Sequence, residues 1–151
     1  MKAITILQPW ASLIACGAKK IETRSWATKY RGPIAIHAGL KVYTRAADTR
    51  TIAQALCNGG IPMARNLPVG AVIAIAELVE CLEILGSHTI VGEPGEIIVP
   101  AVLKNGYFVD SKEFAFGDYT PGRYAWLLAN ARPIKPVPAK GKQRLWEWEE
   151  R

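Results

Sequence analysis

The run at residues 69–85, VGAVIAIAELVECLEIL, limits the fold more than any other stretch of this chain. Its β-branched residues pack well on a pleated surface and lose side-chain freedom in a helix. The first half is continuously apolar, as in a strand buried on both faces. The second half is interrupted by Glu77, Glu80 and Glu83 and alternates out toward solvent. The uninterrupted apolar part is far shorter than the roughly 20 residues needed to cross a bilayer. A long central strand is therefore expected, and the rest of the chain must build a sheet around it.

Flanking segments supply the partners. Residues 3–7 alternate as a short strand, and Pro9 then opens a helical period through Trp10, Leu13 and Ile14 that stops at Gly17. KKIETRSW alternates again, with Lys20, Glu22, Arg24 and Trp26 on one face. A third strand, PIAIHA, places His37 opposite Ile34 and Ile36, and is expected to bring it beside Glu22 and Arg24. Residues 44–57 read as one capped helix, and 61–70 as a turn-rich loop. Residues 87–120, punctuated by Gly and Pro, read as ordered loop or a single helix. RYAWLLANARPI is a further strand, followed by the Pro-rich KPVPAKGK and a terminal alternating LWEWE. The sum is an α+β class: a small mixed or antiparallel β-barrel with peripheral helices, in one domain spanning residues 1–151.

Charge is distributed unevenly. The net charge is +6, yet residues 1–32 hold six Lys/Arg against one Glu, and residues 132–151 six against three. Residues 77–118 reverse this, with two against eight. An anionic partner is expected at a surface built from the two ends, if the fold joins them. The three cysteines are widely spaced and read as buried free thiols in a reducing compartment; with only two histidines, neither a metal site nor a cofactor is expected. The N-terminus has no signal-peptide pattern, so a cytoplasmic location is expected.

QPWASLIACGAKKIETRSWATKYRG concentrates the chemistry. Lys19, Arg24 and Arg31 suit phosphates, while Trp26 or Tyr30 offers a face for an unpaired base. Glu22 is the informative exception. A carboxylate weakens phosphate binding unless it accepts from a base edge or orients a neighbouring cation, so it points to recognition of a base over plain backbone binding. Glu22 and Arg24 also make sense as a structural ion pair, Trp10, Trp126, Trp146 and Trp148 as core, and His37 as packing or as a base contact. Lys140, Lys142 and Arg144 either extend a phosphate track or form a solvated loop.

This ordered series, Gln-Pro-Trp-Ala-Ser-Leu, Gly-x-Lys, Glu-x-Arg, Ser-Trp-x-Thr and Arg-Gly, resembles the ASCH domain family, the homology region of the activating signal cointegrator. The PVGAVIAIAELVECL strand with Glu77 and the PAKGKQRLWEW ending agree; residues 87–118 match nothing in it. The resemblance implies a PUA-like β-barrel, similar to the RNA-binding domain of pseudouridine synthases. Its cleft lies between the barrel and the first helix, and would be lined by Lys19, Glu22, Arg24, Trp26 and Arg31. Family members are taken to be RNA- or nucleic-acid-binding modules, and a few small bacterial ones are enzymes. The expected partner is thus RNA, single-stranded nucleic acid or a nucleoside-like ligand, with no membrane. A protein partner for the acidic middle is the third option.

A hydrolase reading is the alternative, acting on acetylcytidine or on RNA phosphodiesters. The resemblance implies a lysine, a threonine three residues on and a central-strand glutamate for the former. Here Lys19 and Glu77 fill the outer places, but Glu22 stands where the threonine would be. A glutamate there would have to activate water, with Lys19 stabilising the oxyanion. Glu22 and Glu77 holding Mg²⁺ through water is a minor option of the same kind.

Overall fold

The computed structural model describes residues 1–61 and 66–150. The expected central strand is present and longer than the sequence suggested: β4 runs Ala71–Val91. Around it stand β1 (Lys2–Gln8), β2 (Ile21–Arg24), β3 (Gly32–Val42), β7 (Tyr124–Pro138) and β8 (Leu145–Glu147), in the order β2-β7-β4-β3-β1-β8. β1 and β3 are parallel; the other pairings are antiparallel. Two further strands, β5 (Glu96–Leu103) and β6 (Phe108–Val109), continue from the far half of β4 as a hairpin arm. The class is mixed α+β.

This sheet does not close into a barrel. β2 and β8 are its edges, and no main-chain pairing joins β2 to β1. β2 is only four residues long, and the chain turns away after Arg24. A side chain spans the open seam instead: Arg24 Nη2 donates to the Thr5 carbonyl at 2.8 Å.

Helix α1 (Trp10–Ala15) plugs one end of the sheet and buries Ala11 to Ala15. Gln8 explains its start: Oε1 accepts from the Ser12 N–H at 3.0 Å, while Nε2 donates to Ser12 Oγ at 2.8 Å and to the Pro68 carbonyl at 2.7 Å. One amide thereby satisfies an orphan donor of the first turn. Gly17, at φ +82, ends the helix in the left-handed region that only glycine enters freely. The backbone then folds back, Lys19 N–H bonding the Leu13 carbonyl at 3.0 Å, which carries the Lys19 side chain inward.

Several expectations change. The helix expected over 44–57 is two helices, α2 (Thr44–Ala47) and α3 (Arg50–Asn58), broken where Thr49 adopts an extended ψ of 144°, and neither start carries a side-chain cap. The 87–120 region holds the end of β4, the β5–β6 hairpin and α4 (Ser111–Phe114), capped by Asp110 Oδ1 accepting from Glu113 N–H at 2.8 Å. β7 runs straight through Pro133, Pro136 and Pro138. Prolines are tolerated there because β2 covers only residues 124–127, leaving the later part of β7 without a neighbour on that side. The cysteines are free, but Cys57 is exposed and Cys16 and Cys81 half-buried. Of the turn-rich loop at 61–70, positions 62–65 lie outside the described residues. No helix among the described residues is long and apolar enough to cross a membrane.

The two basic ends do meet. β8 lies antiparallel to β1, the N-terminal amine donates to the Trp148 carbonyl at 2.9 Å, and Lys2 Nζ is 2.7 Å from Glu147 Oε1.

Candidate functional site

The open seam between β1 and β2 is a cleft of about 680 Å³. One wall is β1 at Thr5, Ile6 and Leu7; the other is β2 with the residues that follow it, through Trp26. Phe116, Gly117 and Asp118, from the loop after α4, form the third side, and Trp10 and Tyr43 stand at its end. The volume suits a small organic ligand or one nucleotide.

At the floor, Glu22 is 8% exposed. Its Oε2 accepts from Arg24 Nη2 at 3.1 Å and its Oε1 from the Thr23 N–H at 3.1 Å. The same Arg24 nitrogen holds Thr5, so one guanidinium ties β1 to β2. Arg24 Nε is buried with no partner among the described residues. The Glu22–Arg24 pair is a structural ion pair, as one of the two sequence readings has it, and both residues line the cleft.

Lys19 lies beneath this floor, 1% exposed. Its Nζ donates to the Ile21 carbonyl and, at 3.0 Å, to the Phe116 carbonyl, and stands 3.7 Å from Glu22 Oε1. Two carbonyls accept hydrogen bonds from the ammonium, and the Glu22 carboxylate pairs with it as an ion. Burial pulls the Lys19 pKa below the usual lysine value; Glu22 and then Glu113 pull it back without cancelling that effect. Glu113, which sequence reasoning missed, is buried alongside, and burial raises its carboxyl pKa despite the hydrogen bond from Lys20 N–H. The ammonium thus pins β2, the loop after α4 and Glu22 together.

Aromatic rings frame the opening. Trp26 packs edge-on against Trp126 at 4.7 Å, and the Arg144 guanidinium lies over the Trp26 ring at 4.7 Å. Trp10 and Tyr43 are tilted against each other at 5.3 Å, with Lys41 Nζ 4.4 Å from the Tyr43 centroid. Trp10, expected in the core, is half-buried and lines the cleft. The loop wall is locked onto β2: Thr23 Oγ1 accepts from Asp118 N–H at 3.1 Å, and Arg123 Nε donates to the Asp118 carbonyl at 3.0 Å. A Cβ on Gly117 would stand 3.1 Å from Thr23 Oγ1, so glycine permits that close approach.

Four expected residues lie elsewhere. Arg31 clamps its own turn, bonding the Thr28 and Tyr30 carbonyls at 3.0 and 2.9 Å and pairing with Glu80 on β4. Tyr30 spends its hydroxyl on the Pro33 carbonyl. Glu77 is exposed on β4, opposite Pro33 and Ala129, while Glu22 lies on β2 beyond β7; the Lys19–Glu22–Glu77 set is not assembled, and Glu22 and Glu77 do not share a metal site. His37 does not join Glu22 and Arg24, because β3 pairs with β1 and β4 and never with β2. It is 2% exposed, with Nδ1 at 3.1 Å from Thr5 Oγ1 and Nε2 at 2.8 Å from the Ala139 carbonyl, on the side where Lys140 lies. Among the described residues no group of three or more His, Cys, Asp or Glu is placed to hold a metal.

Of the cleft residues that the sequence did not single out, Asp118 and Arg123 come from the unreadable segment and its border, and no local pattern marks them. Tyr43 directly follows β3 and was visible only as an aromatic beside Lys41.

A family model for the ASCH domain matches residues 4–138. Activating signal cointegrator 1 of Homo sapiens is 30% identical over 81 residues, covering 52% of this chain and 14% of that protein, and that of Mus musculus shows the same figures. This chain therefore corresponds to a small part of the length of those relatives. Crystal structures of ASCH from Zymomonas mobilis, the protein itself and a point mutant, align over 99% of this chain and 87% and 90% of theirs. Their identities are 16% and 18% with a TM-score of 0.49, too distant to add to the assignment. The family match runs from β1 into β7 and takes in every residue that lines the cleft: the chain belongs to the ASCH domain family.

Proposed function

We propose that this protein binds single-stranded RNA, seating one base in the β1–β2 cleft of a PUA-like scaffold. Membership in the ASCH family, with its nucleic-acid association, supports the class of ligand. The single observation that carries the reading is the Glu22–Arg24 pair at the floor of a cleft flanked by Trp10, Trp26 and Tyr43. A guanidinium and a carboxylate side by side offer donors and acceptors to a base edge, and the rings offer stacking faces. A cleft built for phosphate alone would be uniformly basic, yet here Glu22 and Asp118 balance Arg24 and Arg123. An unpaired base fits this; duplex RNA, whose bases are stacked and paired, does not.

Within this reading Lys19 positions Glu22 and the loop wall, and Arg144 lies over the ring of Trp26, which lines the cleft. Arg31 and Glu77 have no part in it. The hydrolase alternative retains one supporting observation, the 3.7 Å approach of the buried Lys19 ammonium to Glu22. Against it, Lys19 is buried beneath the cleft, donates to two backbone carbonyls and does not line the cavity where a substrate would lie.

The test is a salt-titrated binding assay of wild type, Arg24→Ala and Glu22→Gln with single-stranded RNA, duplex RNA and single-stranded DNA, each mixture checked for product. Single-stranded RNA should bind best, without product, and Arg24→Ala should weaken it by about 1–3 kcal/mol. Turnover by wild type that Glu22→Gln abolishes while binding persists would establish the hydrolase. No binding to any of the three would remove the nucleic-acid reading altogether.

A further inference from the structure

Next to the cleft lies a second groove of about 990 Å³, which shares Thr5 and Leu7 with it. Its floor is largely apolar, with Leu7, Leu40 and Pro138, and three lysines edge it: Lys41, Lys140 and Lys142. An apolar surface ringed by ammonium groups suits a base lying flat with phosphate at its margin. We propose that this groove holds the nucleotide next to the one in the cleft, with the joining phosphate crossing over Thr5 and Leu7 toward Lys41 and Lys142. The inference rests on the cleft reading above and extends it from one nucleotide to two.

The strap that carries Lys140 and Lys142 is built into the fold. The Ala139 carbonyl faces His37 Nε2 at 2.8 Å, so that nitrogen is the donor, and Thr5 Oγ1 lies 3.1 Å from His37 Nδ1 and 3.3 Å from the Lys142 carbonyl. Between these two anchors Gly141 sits so close that a Cβ would stand 2.7 Å from both His37 Cε1 and Thr5 Oγ1. His37 also packs edge-on against Trp146 at 5.5 Å, which fixes its ring. His37 is thus a positioning residue: buried and separated from the Glu22–Arg24 pair by Thr5, it holds the strap and sets the two lysines on one edge of the groove.

Thr5 links the two sites. Its carbonyl takes the Arg24 guanidinium at the cleft floor, and its hydroxyl anchors the strap. Lys41 approaches the same boundary from the other side, over the ring of Tyr43, which itself lines the cleft. A phosphate passing between cleft and groove would meet cations from both directions.

Calorimetric titration with the ribonucleosides and with dinucleoside monophosphates, at several salt concentrations, tests this. Wild type should bind a dinucleoside monophosphate at least about tenfold more tightly than its nucleoside, with a salt slope steeper by about 0.7 for the one added phosphate. The Lys140→Ala/Lys142→Ala double variant should lose that gain and leave nucleoside affinity unchanged. Gly141→Ala, which forces the strap off His37, should do the same. If the nucleoside binds but the second residue adds nothing, or adds as much in the double variant, the groove assignment is overturned while the cleft reading survives. If neither ligand binds, both fall.

Discussion

The β1–β2 seam and the β4–β5 arm invert each other's chemistry. In the seam, Lys19, Glu22 and Glu113 are charged or chargeable and buried. At the arm, Val91, Ile97 and Ile98 are apolar and exposed on a two-stranded ribbon with little beneath it. Burying ions costs free energy unless each finds partners, and the seam supplies them through backbone carbonyls, Arg24 and the Lys20 N–H. The outer part of the arm needs no such network, because these exposed side chains are apolar and uncharged.

Substitutions sharpen that contrast. Lys19→Met should have the largest effect, destabilising the protein by about 3–5 kcal/mol because it strands two carbonyls and the Glu22 carboxylate in the interior; urea denaturation reads it. A loss below about 1 kcal/mol would mean that the seam's ions are not coupled. At the root of the arm, Leu103 is fully buried, and Leu103→Ala should cost about 3 kcal/mol through the cavity it leaves. That result would show that the arm is anchored by packing where the seam is held by ions.

Glu113→Gln should act in the opposite direction. Burial raises the folded-state pKa of this carboxyl above its unfolded value of 4.5, so the stability it contributes is fully present below pH 4.5 and lost as pH rises through the folded pKa. At pH 7 the variant, which cannot ionise, should be more stable than wild type, and the gap should close toward pH 4. An equal gap at both pH values would assign the effect to packing. Ile97→Ser and Ile98→Ser should change stability least, within about 0.5 kcal/mol, since both side chains are exposed. A larger loss would show that the arm is covered in solution.

What was legible in the sequence follows from the same physics. β1, α1, β2 and β4 announce themselves through local periodicity and through Pro9 and Gly17, and the placing of Glu22 and Arg24 on one face of β2 follows from strand alternation. Strand neighbours are not local. β2 pairs with β7, about a hundred residues away in sequence, so the position of His37 relative to Glu22 could not be read. The burial of Lys19 was hidden for a related reason: a lysine pair between a glycine turn and a strand reads as solvated surface, and only the carbonyl of Phe116, from a distant loop, makes it an interior residue. Residues 87–120 were opaque because β5 is apolar on both faces, with Ile98, Pro100 and Val102 alternating with the buried Val99, Ala101 and Leu103, which erases the in-and-out alternation that reveals a strand. β7 was cut short because proline usually ends a strand, and the free edge that tolerates it is a property of the assembled sheet.

The five tryptophans allow the most direct test of the central claim, since each indole reports a different place. In nitrogen-15 spectra of the indole N–H groups, titration with a single ribonucleoside should move Trp10 and Trp26, which line the cleft, while Trp146 and Trp148, packed with Ala3 and Val72 on the far side of β1 and β3, stay in place. Saturable shifts confined to Trp10 and Trp26 are the expected result. Shifts at Trp146 and Trp148 with Trp10 and Trp26 unmoved would put the ligand elsewhere and contradict the account.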